Sequence, residues 1–274
     1  VFHGNEQFEI KKSKIRGQLS EGMICAEDEL GIGTDHEGIL VLDSSARIGT
    51  PAAGYFGVTT DTVFEIGLTP NRIDCSSHFG VARDLAAFFN LRKPVRAKLP
   101  EVSGFFRERE NGAISVTVEA PEACIRYSGL TIRGIKVGPS PAWLQARLKA
   151  IGLNPINNVV DITNFVLHET GQPLHAFDAS AINGDIVRVM HLPDKTKFVT
   201  LDGVERTLSS TDLMICNRDE GMCIAGVFGG LRSGVTDATT DLFLESATFS
   251  PVSVRRTSRR HDIRTDASYR CERG

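Results

Sequence analysis

The sequence has 274 residues, 41% hydrophobic and 24% charged, with a net charge of −3. That length exceeds what one core ordinarily fills, so more than one compact unit is expected. No apolar run is long enough to span a bilayer and the charge gives no bulk attraction to nucleic acid, which excludes an integral membrane protein and a uniformly basic one. Taken in chain order, residues 8–42 carry short apolar runs between Gly17, Gly22, Gly31, Gly33 and Gly38, the punctuation of a small β domain whose start is missing. Asp74 is a candidate N-cap for a helix over 75–89 with Phe79, Ala82, Leu85, Ala86 and Phe89 on one face. Residues 92–104, RKPVRAKLPEVSG, read as a linker. Strands follow near 114–119 and 126–133, then helices over 141–151 and 158–170 that stop at Gly152 and Gly171. Asp202-Gly203 marks a hairpin, strands are expected near 212–216, 222–228 and 241–246, and Ser250-Pro251 opens a last helix. This irregular mixture, without an internal repeat, is an α+β pattern.

Cys25, Cys75, Cys124, Cys216, Cys223 and Cys271 are scattered without a Cys-x-x-Cys spacing, so neither a zinc knuckle nor a disulfide framework is supported and a reducing, cytoplasmic setting is expected. The chain opens at Val1 in strand-like sequence, which reads as an excision from a longer protein. Residues 251–274 hold seven arginines against three acids, a segment that suits either phosphate contact or a solvated helix face.

The densest polar stretch is DITNFVLHETGQPLHAFD, residues 161–178. A zinc-binding helix of the H-E-x-x-H type needs a second histidine where Gln172 stands, so a metal is disfavoured. His175 is separated from His168 by Gly171 and Pro173, which break the helix, and the two imidazoles need not share a face. His168 reads as a polar helix end. No G-x-S-x-G elbow is present and no cysteine has the setting of an activated thiolate, so covalent catalysis has no visible nucleophile. What remains is Thr163, Asn164 and His175, which suit a pocket that works by hydrogen bonding, or, for His175, a structural role.

Two further stretches bear on the choice. DLFLESATF places Glu245 in a strand with apolar neighbours on both faces, where a carboxylate is either paired or kept for a ligand. CIAGVFGGLRSGVT supplies Gly226, Gly229, Gly230 and Gly234 without a phosphate-loop lysine, so ordinary turns compete with close backbone approach to a ligand.

Long motifs in one order carry a resemblance over essentially the whole chain. IKKSKIRGQLSEGMICAEDELGIG resembles the late part of the tRNA-binding OB domain of the bacterial phenylalanyl-tRNA synthetase β-subunit family, and FEIGLTPNRIDCSSHFGVARDLAAF resembles the segment that follows it. NNVVDITNFVLHETGQPLHAFD, GVFGG, LES and RTDASYRCERG are similar to that family's editing domain. The chain departs from the usual pattern at Cys271, where phenylalanine is common, and at His168, where an apolar or small residue is common. The resemblance implies a partial OB-fold β domain over residues 1–48, a connecting helical segment over 49–92 and a mixed α+β editing domain over 93–274. It also implies an internal piece that stops before the domains for magnesium and for the tRNA anticodon.

For activity, the resemblance implies a β subunit of phenylalanine–tRNA ligase that works with tRNA(Phe) and an α subunit, in a heterotetramer of two α and two β chains in the cytoplasm. ATP and magnesium would serve the whole enzyme's aminoacylation site on the α subunit, and this piece would need no cofactor and no metal of its own. Its expected task is hydrolysis of tyrosine misattached to tRNA(Phe), because a phenyl pocket cannot strongly reject an isostere with one added hydroxyl. By family correspondence Glu245 would accept the tyrosine hydroxyl proton and a backbone N–H near Gly229 would donate to that hydroxyl. His175 would position the terminal adenosine or the attacking water, Thr163 and Asn164 would hold the ester end, and Thr265 and Ala267 would line the opposite wall. The alternative is a tRNA-binding and assembly subunit whose editing pocket is inert. A small-molecule binder on the same fold is a third reading.

Overall fold

The computed structural model describes residues 2–3, 6–7, 9–33, 35–57, 61–108, 112 and 114–273. The chain divides into two compact units, Val1–Thr62 and Val63–Gly274. In the first unit, β1 (Phe2–His3) pairs antiparallel with β2 (Glu6–Gln7), and β3 (Ser13–Ile15) with β4 (Gln18–Ser20). The β3–β4 turn is Arg16-Gly17, both with positive φ, 52° and 83°, the backbone that a two-residue hairpin requires. One turn of helix, α1 (Ala52–Tyr55), follows. These short elements do not establish the piece of OB barrel that the resemblance implied.

The second unit opens with a 3-10 turn, Ile73–Cys75, and α2 (His78–Phe89). The expected cap is corrected: Ser77, in extended backbone, accepts from the Gly80 N–H, while Asp74 is held by Arg72 at 3.0 Å and lies before the helix. The expected apolar face of α2 is also only partly used, since Ala86 is buried whereas Leu85 and Phe89 stay exposed.

Next come β5 (Ser115–Val118), β6 (Cys124–Arg133), α3 (Ala142–Ala150), α4 (Asn158–Thr170) and β7 (Leu174–Asp178). The side chain of Asn157 accepts from Val159 and Val160 N–H to start α4, and Gly171, at φ 88°, ends it in the left-handed conformation that glycine tolerates. Buried Asp161 ties the entry of α4 both to the segment before α3, accepting from Ser140 Oγ at 2.5 Å, and to the α3–α4 loop, accepting from Ile156 N at 2.9 Å.

Beyond lie β8 (Ile186–His191), β9 (Lys197–Val199), β10 (Glu205–Thr207), β11 (Leu213–Cys216), β12 (Gly221–Ile224), β13 (Phe228–Gly229), β14 (Asp241–Phe249), α5 (Pro251–His261) and α6 (Asp266–Cys271). The single strand expected over 222–228 is two, broken at Ala225–Val227 where Gly226 takes φ 68°. A five-stranded sheet runs β13-β12-β11-β8-β5, antiparallel except for the β5–β8 pair. A three-stranded sheet runs β6-β14-β7, and β9 pairs with β10 around Gly203. Both larger sheets feed one core, with Val187, Val189, Met214 and Ile224 from the first and Phe177, Phe243, Ala247 and Phe249 from the second. The α+β expectation holds.

Candidate functional site

The centre of β14 organises the site. Glu245 pairs across the ladder with Gly129 on β6 and His175 on β7. Directly opposed residues of an antiparallel pair project to the same face, with Cβ atoms roughly 5 Å apart. Carboxylate and imidazole therefore start side by side, on the face that also carries Phe243, Phe177, Ala247 and Tyr127.

Gly129 leaves room there for a ring: a Cβ at that position would lie 2.2 Å from Phe243 Cζ. Tyr127 stacks beside the same ring, centroids 6.5 Å apart and planes 15° from parallel, and its hydroxyl donates to Glu245 Oε2 at 2.7 Å. Glu245 is 5% exposed. Burial raises its carboxyl to about 7, against the lowering effect of the Tyr127 hydrogen bond. The nearby thiols are pushed the same way by burial and by the Glu245 charge, Cys124 and Cys271 to about 11 and Cys223 well above its usual value, so none is a thiolate at neutral pH.

His175 meets the Phe177 ring edge-on at 4.4 Å. A Cβ on Gly229 would come within 3.0 Å of His175 Cε1, so the β13 backbone lies against the imidazole. Burial lowers the His175 pKa to about 4, which leaves the ring neutral at physiological pH.

The structure brings Glu245, His175 and Gly229 into one locality. Thr265 is tied to the residue just before β13, donating through Oγ1 to Val227 O at 3.0 Å while accepting from Ser268 N at 3.0 Å as the cap of α6. Ala267 follows in the first turn of α6, half-buried. Thr163 and Asn164 are half-buried on α4, which packs on β7, and Thr163 Oγ1 donates back to Val160 O at 2.8 Å. With their protons committed, the two threonine hydroxyls offer a ligand lone pairs rather than donors. Sequence reading missed Tyr127, whose partner is 118 residues away and which carries no local mark of its role.

Other features stand apart from this locality. A cleft of about 540 Å³ lined by Leu192, Phe198, Met222, Gly230 and Ser233, among others, contains none of the seven expected site residues. Asp74, Cys75 and Asp84 form a group with the chemistry of metal ligands. Arg72 Nη2 reaches Cys75 Sγ at 2.6 Å and Asp84 Oδ2 at 2.7 Å, so a guanidinium already supplies the positive charge there. His168, at the end of α4, has its imidazole pKa lowered by burial and by the charge of Arg270.

Residues 123–274 match the model of the B3/4 domain. Over 100% of its length the chain is 58% identical to the phenylalanine–tRNA ligase β subunit of Bacteroides fragilis and 57% identical to that of Porphyromonas gingivalis, covering 34% of each. It is 48% identical, again over its full length, to the corresponding subunit of Bdellovibrio bacteriovorus, of which it covers 33%. The chain thus spans about a third of the length of these relatives. A solved N-terminal fragment of the phenylalanyl-tRNA synthetase β subunit from Pyrococcus horikoshii is a distant likeness, 14% identical with a TM-score of 0.40 over 70% of this chain and 59% of that one. Among the described residues, no helix is long and apolar enough to cross a membrane.

Proposed function

Because the chain belongs to the B3/4 domain family and is similar over its whole length to phenylalanine–tRNA ligase β subunits, we propose that it is the proofreading part of such a subunit, hydrolysing tyrosine wrongly esterified to tRNA(Phe). The observation that carries this reading is a buried carboxylate, Glu245, facing a neutral imidazole, with one hydroxyl donor and no cation beside it among the described residues.

A buried acceptor left without a donor costs roughly 1–3 kcal/mol, so Glu245 penalises a phenyl ring and accepts a phenol. A backbone N–H at Gly229 donates to the phenol oxygen. His175, with a pKa near 4, is a weak base at neutral pH, which favours a part in holding water or the terminal ribose over one in removing a proton. Thr163 and Asn164 hold the ester end, and Thr265 and Ala267 bound the opposite wall. Ester hydrolysis by a placed water proceeds through an oxyanion that donors stabilise, so the pocket's own groups can serve without a covalent intermediate. In this reading the partners are tRNA(Phe) and an α subunit, paired as two α and two β chains in the cytoplasm. ATP and magnesium serve aminoacylation on the α subunit.

The experiment is deacylation of tyrosyl-tRNA(Phe) by the complete ligase carrying this chain. Wild type is expected to release tyrosine faster than phenylalanine, and Glu245→Ala to lose that preference. A second reading, an assembly and tRNA-binding subunit with an inert pocket, draws on the bond from Tyr127, which already occupies one oxygen of Glu245. Absence of tyrosine release by the wild-type complex decides for it.

A further inference from the structure

Tyr127 is the one hydrogen-bond donor to Glu245 among the described residues, and it takes Oε2 alone. The β6–β14 register explains why it reaches. Tyr127 is opposite Ala247, whose small side chain leaves the ring unobstructed, and it lies one pleat along from Gly129, the partner of Glu245. That diagonal of roughly 7–8 Å is within the span of a tyrosine side chain. The Phe243 ring, admitted by the missing Cβ of Gly129, is the surface on which Tyr127 stacks. The titratable groups around the carboxylate are His175 across the ladder and the thiols of Cys124, Cys223 and Cys271, and none of them carries a positive charge at neutral pH.

We propose that Tyr127 is the positioning residue for the phenol reader: by donating to Oε2 it fixes the Glu245 carboxylate with Oε1 left to accept a substrate hydroxyl, and so sets the tyrosine selectivity of the pocket. This rests on the proofreading reading above. Tyr127 is itself a phenol on a carboxylate, so the protein's own side chain makes with one oxygen the contact that a substrate tyrosine makes with the other. Two phenols on one carboxylate bring two donors to the charge and spread it over both oxygens, an arrangement that a phenylalanyl ester leaves half made. Without Tyr127 the carboxylate would lose its rotamer anchor and the hydrogen bond that favours its ionised form.

The test compares wild type, Tyr127→Phe and Glu245→Gln in the complete ligase, measuring deacylation of tyrosyl- and phenylalanyl-tRNA from pH 6 to 9 (values on the order of the ordinary working range). Aminoacylation with phenylalanine reports assembly. Tyr127→Phe keeps the ring on Phe243, and its tyrosine-over-phenylalanine preference is expected to fall roughly tenfold, carried by tyrosyl-tRNA deacylation. The pH at which the preference is half-maximal should move up by roughly one unit, because the ionised carboxylate has lost its donor. Replacing Tyr127 by 3,5-difluorotyrosine strengthens the donor without changing the ring's fit and should move both quantities the other way. That arm stands even if Tyr127→Phe fails to assemble. If wild type edits and both replacements leave preference and midpoint unchanged, the positioning role is wrong and proofreading survives. If wild type does not deacylate tyrosyl-tRNA, proofreading fails and the selectivity role falls with it.

Discussion

Two of the buried carboxylates among the described residues, Asp212 and Glu245, lie under opposite conditions. Asp212, just before β11, is fully buried and accepts from Ser209 N at 2.9 Å, Thr257 Oγ1 at 2.9 Å, His261 Nε2 at 2.8 Å and the guanidinium of Arg260. Burial alone would raise its pKa, yet these donors together hold it below the ordinary carboxylate value. Glu245, nearly as buried, has the single hydroxyl of Tyr127 and sits at about 7. A carboxylate whose lone pairs are filled by its own fold works as a rivet, here fastening α5 to the five-stranded sheet. One left short of donors keeps hydrogen-bonding capacity unused, at a cost to stability.

The sharpest way to break this contrast is Asp212→Ala. It strands Arg260 and His261 without their acceptor, and removal of one partner from a buried network typically costs roughly 3–5 kcal/mol. Urea unfolding should show that loss, and a change well under 1 kcal/mol (an order-of-magnitude threshold) would remove Asp212 from the role of rivet.

The second test uses pH. Because folding raises the Glu245 pKa from 4.5 to about 7, the folded state holds its proton more tightly than the unfolded chain. Stability from this group is complete below the unfolded value and is lost as pH rises toward 7. Glu245→Gln removes that dependence, so its stability relative to wild type should climb by up to roughly 3 kcal/mol between acid and mildly alkaline pH. His175 contributes the opposite slope: its lowered pKa means stability lost as pH falls from 6.5 toward 4. Thermal melts of Glu245→Gln and His175→Ala across that range separate the two, and parallel curves would contradict the assigned shifts.

For activity, Glu245→Ala should reduce tyrosyl-tRNA deacylation by roughly 10- to 150-fold, the worth of one charge-assisted hydrogen bond of about 1.5–3 kcal/mol, with aminoacylation by phenylalanine nearly unchanged. Asp212→Asn, by contrast, should change stability more than selectivity. Within the pocket, the smaller expected effect on selectivity is that of His175→Ala, which should slow hydrolysis while most of the tyrosine preference remains. If it erases the preference as fully as Glu245→Ala, imidazole and carboxylate read the ring together, as their cross-strand adjacency would permit.

Much of the scaffold was legible because its signals are local. Gly152 and Gly171 stop α3 and α4, Asp202-Gly203 turns β9 into β10, and each depends on backbone conformation within a few residues. Glu245 was conspicuous as a charge among apolar neighbours of its own strand. Asp212 was not, because a polar residue at the edge of a strand is ordinary, and its partners Thr257, Arg260 and His261 arrive from 45 to 49 residues away. Tyr127 was hidden for the same reason. The start of α2 went to the wrong cap because Asp74 and Ser77 are both competent acceptors, and the pairing of Asp74 with Arg72 carries no local mark in the sequence.

The left-handed turn at Gly171 has a consequence for how this region can change its length. It passes the chain from α4 into β7 within three residues, so the helix bearing Thr163 and Asn164 and the strand bearing His175 are coupled almost without slack. One residue added between Gly171 and Leu174, and taken up by sliding β7 one position along β14, would turn His175 and Phe177 to the reverse face of the sheet together. The imidazole would leave Glu245 and Gly229, and a ring now wholly enclosed would be expelled toward the other side. The surface hairpin at Gly203 can absorb an inserted residue, whereas this connection is constrained in length and, at Gly171, in residue type.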